Sequence, residues 1–133
     1  MATIFTRIIN REIPGRFVHE DDVCVAFLTV EPLSPGHTLV VPRAEVDHWL
    51  DLDADTAAHL MATAQTIGKA IQATYEPRKV GMMIAGLEVP HVHIHVTQMN
   101  GVTDLDFKNA RKDATAHELD EAAQALRNAL ADH

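Results

Sequence analysis

Two periods organise the hydrophobic positions of this chain. Short apolar runs at Phe17–Glu20, Val23–Val30, His37–Val41 and Gly81–Ala85 have the length and β-branched content of strands. In His91-Val92-His93-Ile94-His95-Val96, polar and aliphatic residues alternate strictly, which predicts a half-buried fifth strand over His91 to Gln98. A spacing of three and four governs two longer stretches. Leu60, Ala64, Ile67, Ile71 and Tyr75 mark one stripe of a long helix, with Asp53 as its N-cap and Pro77 at its end. Leu119, Ala122, Leu126 and Leu130 mark a last helix over about 116–131, opened by the capping-box pattern Thr115-Ala116-His117-Glu118. Ile4-Phe5 and Ile8-Ile9 suggest a short N-terminal helix ended by Pro14-Gly15.

The punctuation between these elements favours hairpins. Asp21-Asp22 joins the first two strands, aspartate being tolerant of the left-handed backbone of a tight turn. Pro32-Leu33-Ser34-Pro35-Gly36 is a turn before the third strand, which Pro42 closes. Five strands, two substantial helices and few long crossovers predict an α+β fold, with an antiparallel sheet and helices packed on one face. No repeat or long linker divides the 133 residues, so a single domain over 1–133 is expected. Met82 and Met83 read as core filler.

Composition narrows the function. A formal charge of −8, without a Lys/Arg cluster, argues against a nucleic-acid polymer as partner. No apolar run approaches membrane-spanning length and no signal peptide opens the chain, so neither a membrane nor export is expected. Cys24, the single cysteine, sits in an apolar run and reads as a buried hydrophobe in a reducing cytoplasm.

On the fifth strand, Val92, Ile94 and Val96 would face the core, leaving His91, His93 and His95 on the opposite face. Residues two apart on a strand are roughly 6.5–7 Å apart, so three imidazoles form a ruled row. Solvated strand histidines are common bystanders, but three at perfect alternation displace better β-formers. Two chemistries suit the row. It could ligate a metal, with Glu88 supplying an oxygen. Alternatively, one imidazole is a nucleophile or general base and its neighbours position it, with the flanked His93 as the natural nucleophile for attack on phosphorus.

His91-Val92-His93-Ile94-His95-Val96-Thr97 resembles the histidine-triad motif of the HIT superfamily. Arg11-Glu12-Ile13-Pro14, Glu20-Asp21-Asp22, Ala26-Phe27-Leu28 and Pro35-Gly36-His37-Thr38-Leu39-Val40-Val41-Pro42 are similar to further segments of that family, in its order, over about residues 4–100. The resemblance implies the HIT-like fold, a five-stranded antiparallel sheet with two main helices, and a homodimer. It also implies nucleotide hydrolysis or transfer through a covalent nucleotidyl-histidine, on a small-molecule nucleotide or phosphate substrate and without a cofactor. By the same resemblance His93 is the nucleophile, held through its other ring nitrogen by the His91 carbonyl. His95 contacts the α-phosphate, and His37 supports the row from the neighbouring strand. Gly86, Leu87, Glu88, Ile94, Thr29 and Val30 are the substrate- and phosphate-binding positions. With no Arg or Lys beside the triad in sequence, imidazoles and backbone N–H groups would hold the phosphate.

Three departures touch the substrate. Gly86-Leu87-Glu88 replaces the family's Gly-Gln-Ser/Thr, and a carboxylate there would repel phosphate if ionised but could protonate a leaving amine. Thr29 stands where the family has the aspartate that holds ribose hydroxyls, and Val80 where it has an asparagine. These allow an altered, non-nucleoside phosphate substrate, or a nucleotide-binding protein without turnover. The family's structural zinc positions fall on Thr3, Thr6, Glu45 and His91, so no metal is expected, and Glu45 is expected to hydrogen-bond His91 instead.

Overall fold

The computed structural model describes residues 2–132. In chain order it contains α1 (Ile4–Ile9), β1 (Phe17–Glu20), β2 (Cys24–Leu28), β3 (Thr38–Pro42), α2 (Ala54–Tyr75), β4 (Lys79–Met83), β5 (Ile94–Met99) and α3 (Ala116–Ala131), with short 3₁₀ turns before α2 and after β5. The helix ends follow local chemistry. Thr3, Asp53 and Thr115 each accept a backbone N–H in the first turn of α1, α2 and α3. Glu76 stops α2 in a left-handed conformation just before Pro77.

The five strands form one antiparallel sheet in the order β1-β2-β3-β5-β4. One face carries α2 and α3 over Cys24, Ala26, Leu28, Val40, Val92, Ile94 and Val96. The other packs Phe5 of α1 against Val25, Phe27, Leu39 and Val41. The two main helices share one face, as expected, and the short α1 adds cover to the second face with Phe5, Ile8 and Ile9. Dual coverage explains why β2 and β3 are apolar at nearly every position and buried throughout.

Three expectations change. The turn at Asp21 is not left-handed; among the described non-glycine residues only Arg11 and Glu76 have positive φ. Asp21 instead turns the chain with its side chain, Oδ1 accepting the Val23 and Cys24 N–H groups at 2.8 and 2.9 Å. The β5 ladder begins at Ile94 rather than His91, since β3 ends at Pro42, which has no N–H to continue the pairing. The Val92 N–H turns instead to the Val46 carbonyl, at 2.8 Å. Met82 is not core filler: it lies 41% exposed on the edge strand β4.

Candidate functional site

The histidine row lies on the α1 face of the sheet. Phe5 stands edge-on to His91 and His93, with ring centroids 5.9 and 4.8 Å away, and the His93 and His95 rings are 4.9 Å apart. His37 enters from the start of β3 after a turn fixed by Gly36. That glycine has φ +87°, and a Cβ on it would meet Tyr75 Cε2 at 2.7 Å. Ser34 Oγ and Thr97 Oγ1, 2.8 Å apart, tie the same turn to β5.

Hydrogen bonds to groups of fixed polarity assign a tautomer to each imidazole. The Leu33 N–H can only donate, so His37 Nδ1 accepts it at 3.0 Å and the ring proton resides on Nε2. That Nε2–H donates to His95 Nδ1 at 2.9 Å, which puts the His95 proton on Nε2. The His91 carbonyl can only accept, so His93 Nδ1–H donates to it at 2.8 Å and Nε2 keeps its lone pair. One backbone amide and one backbone carbonyl thus set a bare nitrogen on His93 beside an N–H donor on His95. Neutrality underlies this assignment. Burial depresses His37 to about 3, His95 to about 4, and His93 below its ordinary value; the closeness of a second histidine adds to each effect, while the His91 carbonyl and the Glu88 charge partly oppose it at His93.

Stability should follow from the same shifts. Between pH about 3 and 6.5 the unfolded His37 binds a proton that the folded one refuses, so stability rises with pH through that window and levels off above it. Thermal melts from pH 4 to 8 check this, His37→Phe having the shallower acid limb.

His93, His95 and His37 open onto a cavity of about 330 Å³ that Thr29, Gly86, Leu87 and Glu88 also line. Gly86 adopts φ +71°, a left-handed conformation that bends the loop over the row. Two sequence-derived binding positions lie elsewhere. The Ile94 side chain points into the helix-face core because neighbours of histidines on a strand face the other way. Val30 is 64% exposed outside the cavity lining, since β2 ends at Leu28. His91 is fully buried behind the row and acts through its carbonyl.

The cavity also gathers residues that the sequence reading missed. Phe107, 4.9 Å from the His95 ring, and Lys112 arrive from the segment after β5, while Glu31 follows Thr29 by two positions. Lys112 Nζ lies 3.9 Å from a Glu31 carboxylate oxygen. A cation therefore does stand at the cavity, contrary to the expectation from sequence neighbours: Lys112 is 19 positions from His93 in the chain (112 − 93) and only the fold unites them. An acidic residue near the missing ribose-binding aspartate was a signal available at Glu31.

At the family's zinc positions the donors do not suit zinc. Thr3 Oγ1 lies 2.7 Å from His91 Nδ1 and accepts the Thr6 N–H; Glu45 Oε1 accepts the Thr3 N–H and the Thr6 hydroxyl, each at 2.7 Å. His91 Nε2–H donates to the Pro42 carbonyl at 2.8 Å. Two hydroxyls and a carboxylate already satisfying one another form a hydrogen-bonded latch, not a nitrogen–sulfur ligand set. Glu45 therefore does not bond His91 directly, as expected of it, but holds the backbone N–H of Thr3, whose hydroxyl meets His91 Nδ1, and the hydroxyl of Thr6, 3.5 Å from the same nitrogen.

A five-stranded antiparallel sheet with a histidine row over such a cavity defines a histidine-triad protein. The HIT domain model matches residues 10–101, and the chain belongs to that family. An uncharacterized HIT-like protein of Borreliella burgdorferi is 34% identical over 116 residues, 82% of this chain and 84% of that one. A bifunctional bis(5'-adenosyl)-triphosphatase/adenylylsulfatase of Arabidopsis thaliana is 32% identical over 122 residues, 88% of this chain and 65% of that one. Among solved structures, a hypothetical histidine triad nucleotide-binding protein from Sulfolobus tokodaii superposes with TM-score 0.85 at 28% identity, covering 97% of this chain and 92% of that one. The family thus includes nucleotide hydrolases.

Proposed function

We propose that the protein hydrolyses or transfers nucleotides through a covalent nucleotidyl-histidine on His93. The observation that carries this reading is the pairing of a bare His93 Nε2, fixed by the His91 carbonyl, with the Nε2–H of His95. In the first step the His93 lone pair forms a P–N bond while the bond from phosphorus to the leaving group breaks. The departing oxygen or nitrogen accepts a hydrogen bond from the His95 Nε2–H, which stays on the ring, and takes its proton from solvent; the positive charge gained by His93 is stabilised by the His91 carbonyl. In the second step water attacks the same phosphorus, the P–N bond breaks to free His93, and the water's proton leaves to solvent. A hydroxylated acceptor in place of water makes the reaction a transfer.

The cavity supports a nucleoside-bearing substrate despite Thr29. Glu31 returns a carboxylate to that side, suited to accept hydrogen bonds from ribose hydroxyls, and Phe107 offers an aromatic face. Hydrogen bonds to a charged group contribute about 1.5–3 kcal/mol, so Glu31→Ala should raise KM for an adenosine phosphoramidate by roughly 10- to 100-fold. Its KM for a phosphoramidate without a nucleoside should not change.

The experiment that tests the whole reading is a kinetic comparison of those two substrates with the wild-type chain. Preference for the nucleoside substrate supports it. Equal or better use of the simpler one favours a non-nucleoside phosphate substrate, the reading to which the substitution at Thr29 leads. Tight nucleotide binding without turnover of either makes the protein a binder.

A homodimer belongs to the same proposal. The outer edge of β4 has no strand partner among the described residues, and Met82 and Met61, 41% and 53% exposed, flank it on the α2 side. Light scattering should give twice the chain mass for the wild type and a shift toward monomer for Met82→Lys.

A further inference from the structure

Away from the cavity, four side chains of metal-ligand type converge at the turn between β1 and β2. His19 comes from β1, Asp21 from the turn, Cys24 from the first position of β2, and His59 from α2. Asp21 is anchored by Oδ1, which accepts the Val23 and Cys24 N–H groups, and so presents Oδ2 in one direction. His19 Nε2 and His59 Nε2 meet that single oxygen at 2.7 and 2.8 Å. Cys24 Sγ lies 3.8 Å from it. One donor atom each of His19, Asp21 and Cys24 lies within 4.8 Å of the others.

We propose that His19, Asp21, Cys24 and His59 bind a zinc-type divalent cation that ties the β1–β2 hairpin to α2. Metal–nitrogen and metal–oxygen bonds of about 2.0–2.2 Å, with a metal–sulfur bond of about 2.3 Å, imply donor separations of roughly 3.3–3.8 Å in a tetrahedral site. The sulfur-to-carboxylate distance of 3.8 Å already fits. Both imidazoles must retreat at least about half an ångström from Asp21 Oδ2 to admit the ion, and His59, which lies outside the 4.8 Å set, must also turn on α2 toward the other donors. Mixed imidazole, carboxylate and thiolate donors suit a borderline cation of the zinc class better than magnesium or calcium, which prefer all-oxygen sets.

Burial separates this cluster from a chance surface grouping. The imidazoles are half-buried and leave an approach for the ion, whereas Cys24 is fully buried with its sulfur aimed at the carboxylate. Cys24 also lies 3.5 Å from Thr63 Oγ1, whose hydroxyl donates to the His59 carbonyl, so the residue behind the thiol belongs to the same turn of α2. On metal binding the thiol proton leaves to solvent and the thiolate becomes the ligand. Arg43 is a nearby cation: its Nε–H donates to the Asp21 backbone carbonyl at 2.7 Å, its Nη2 lies 3.9 Å from Glu20 Oε1, and its charge favours the Cys24 thiolate. The cluster was not legible in the sequence because His59 is 38 positions from Asp21 and reaches it only when α2 packs on the sheet.

Cobalt provides a test that localises the ion. The chain has a single cysteine, so a thiolate-to-cobalt charge-transfer band in the near ultraviolet can arise only from Cys24. The full chain, stripped with a chelator and titrated with Co²⁺, should develop this band at one equivalent and lose it on addition of Zn²⁺. His19→Gln and His59→Gln, both partly exposed and checked by circular dichroism for intact folding, should each weaken Zn²⁺ binding at least about tenfold. Cys24→Ser should abolish the band, and His93→Ala should leave it unchanged. Cobalt bound without the band, zinc affinity unaffected by both histidine variants, or no metal uptake would each overturn the proposal.

Discussion

His93→Ala lowers kcat by about 10⁴-fold or more, because removal of a covalent nucleophile leaves only substrate binding and the hydrogen bond from His95. The loss is chemical rather than structural. His93 lies at the cavity with Phe5 against it, and its one side-chain hydrogen bond among the described residues goes to the His91 carbonyl, which can rebind water from the cavity. Substrate affinity should therefore change little, since His37, His95, Gly86 and Glu31 remain in place. Single-turnover kinetics with circular dichroism as a folding control check the result. Near-normal kcat in the folded variant would remove His93 from the mechanism.

The second large effect belongs to a residue that touches no reacting atom in the proposed scheme. His37→Phe keeps a ring of similar size but deletes both ends of the relay from Leu33 to His95. His95 then loses the donor that fixes its proton on Nε2, and the tautomer that offers a lone pair to the leaving group becomes available. A wrong tautomer at a catalytic histidine costs on the order of 10²–10⁴-fold in kcat. KM should move by much less. His37→Gln, whose amide can accept from Leu33 and donate to His95, should recover part of the loss. A simple packing role for His37 would predict the reverse order, with phenylalanine the milder substitution. The Leu33 N–H left unpartnered by phenylalanine also costs about 1–3 kcal/mol of stability, which denaturant unfolding measures separately.

The pH–rate profile should have an unusual acid side. The mechanism needs His93 neutral, and burial holds its proton affinity below that of a free imidazole. The acid limb of kcat/KM therefore lies below the ordinary histidine range, not at it.

Alternation along His91–Val96 disclosed the row because strand geometry is local: a period of two in sequence is a face in space. Helix caps at Asp53 and Thr115 were equally legible, since a cap involves residues three apart. Pairing partners were not. β5 loses its first three expected residues because Pro42, on another strand, cannot continue the ladder. The same rule governs the site. The triad could be read from one stretch, whereas Lys112, Phe107 and Glu31 join it only through tertiary packing. At Ile94 the same alternation placed the side chain in the core, where it lies, while the family resemblance had set it among the binding positions.

Most of the chemistry proposed here reduces to one event, the formation of a bond between His93 and phosphorus. The stereochemical course at that phosphorus tests it without requiring an intermediate to accumulate. An adenosine phosphoramidate made chiral at phosphorus with sulfur and oxygen isotopes is hydrolysed by the wild-type chain, and the configuration of the product is read by ³¹P NMR. Two successive displacements, the first by His93 and the second by water, predict net retention. Net inversion would mean that water attacks the substrate directly, and would contradict the account.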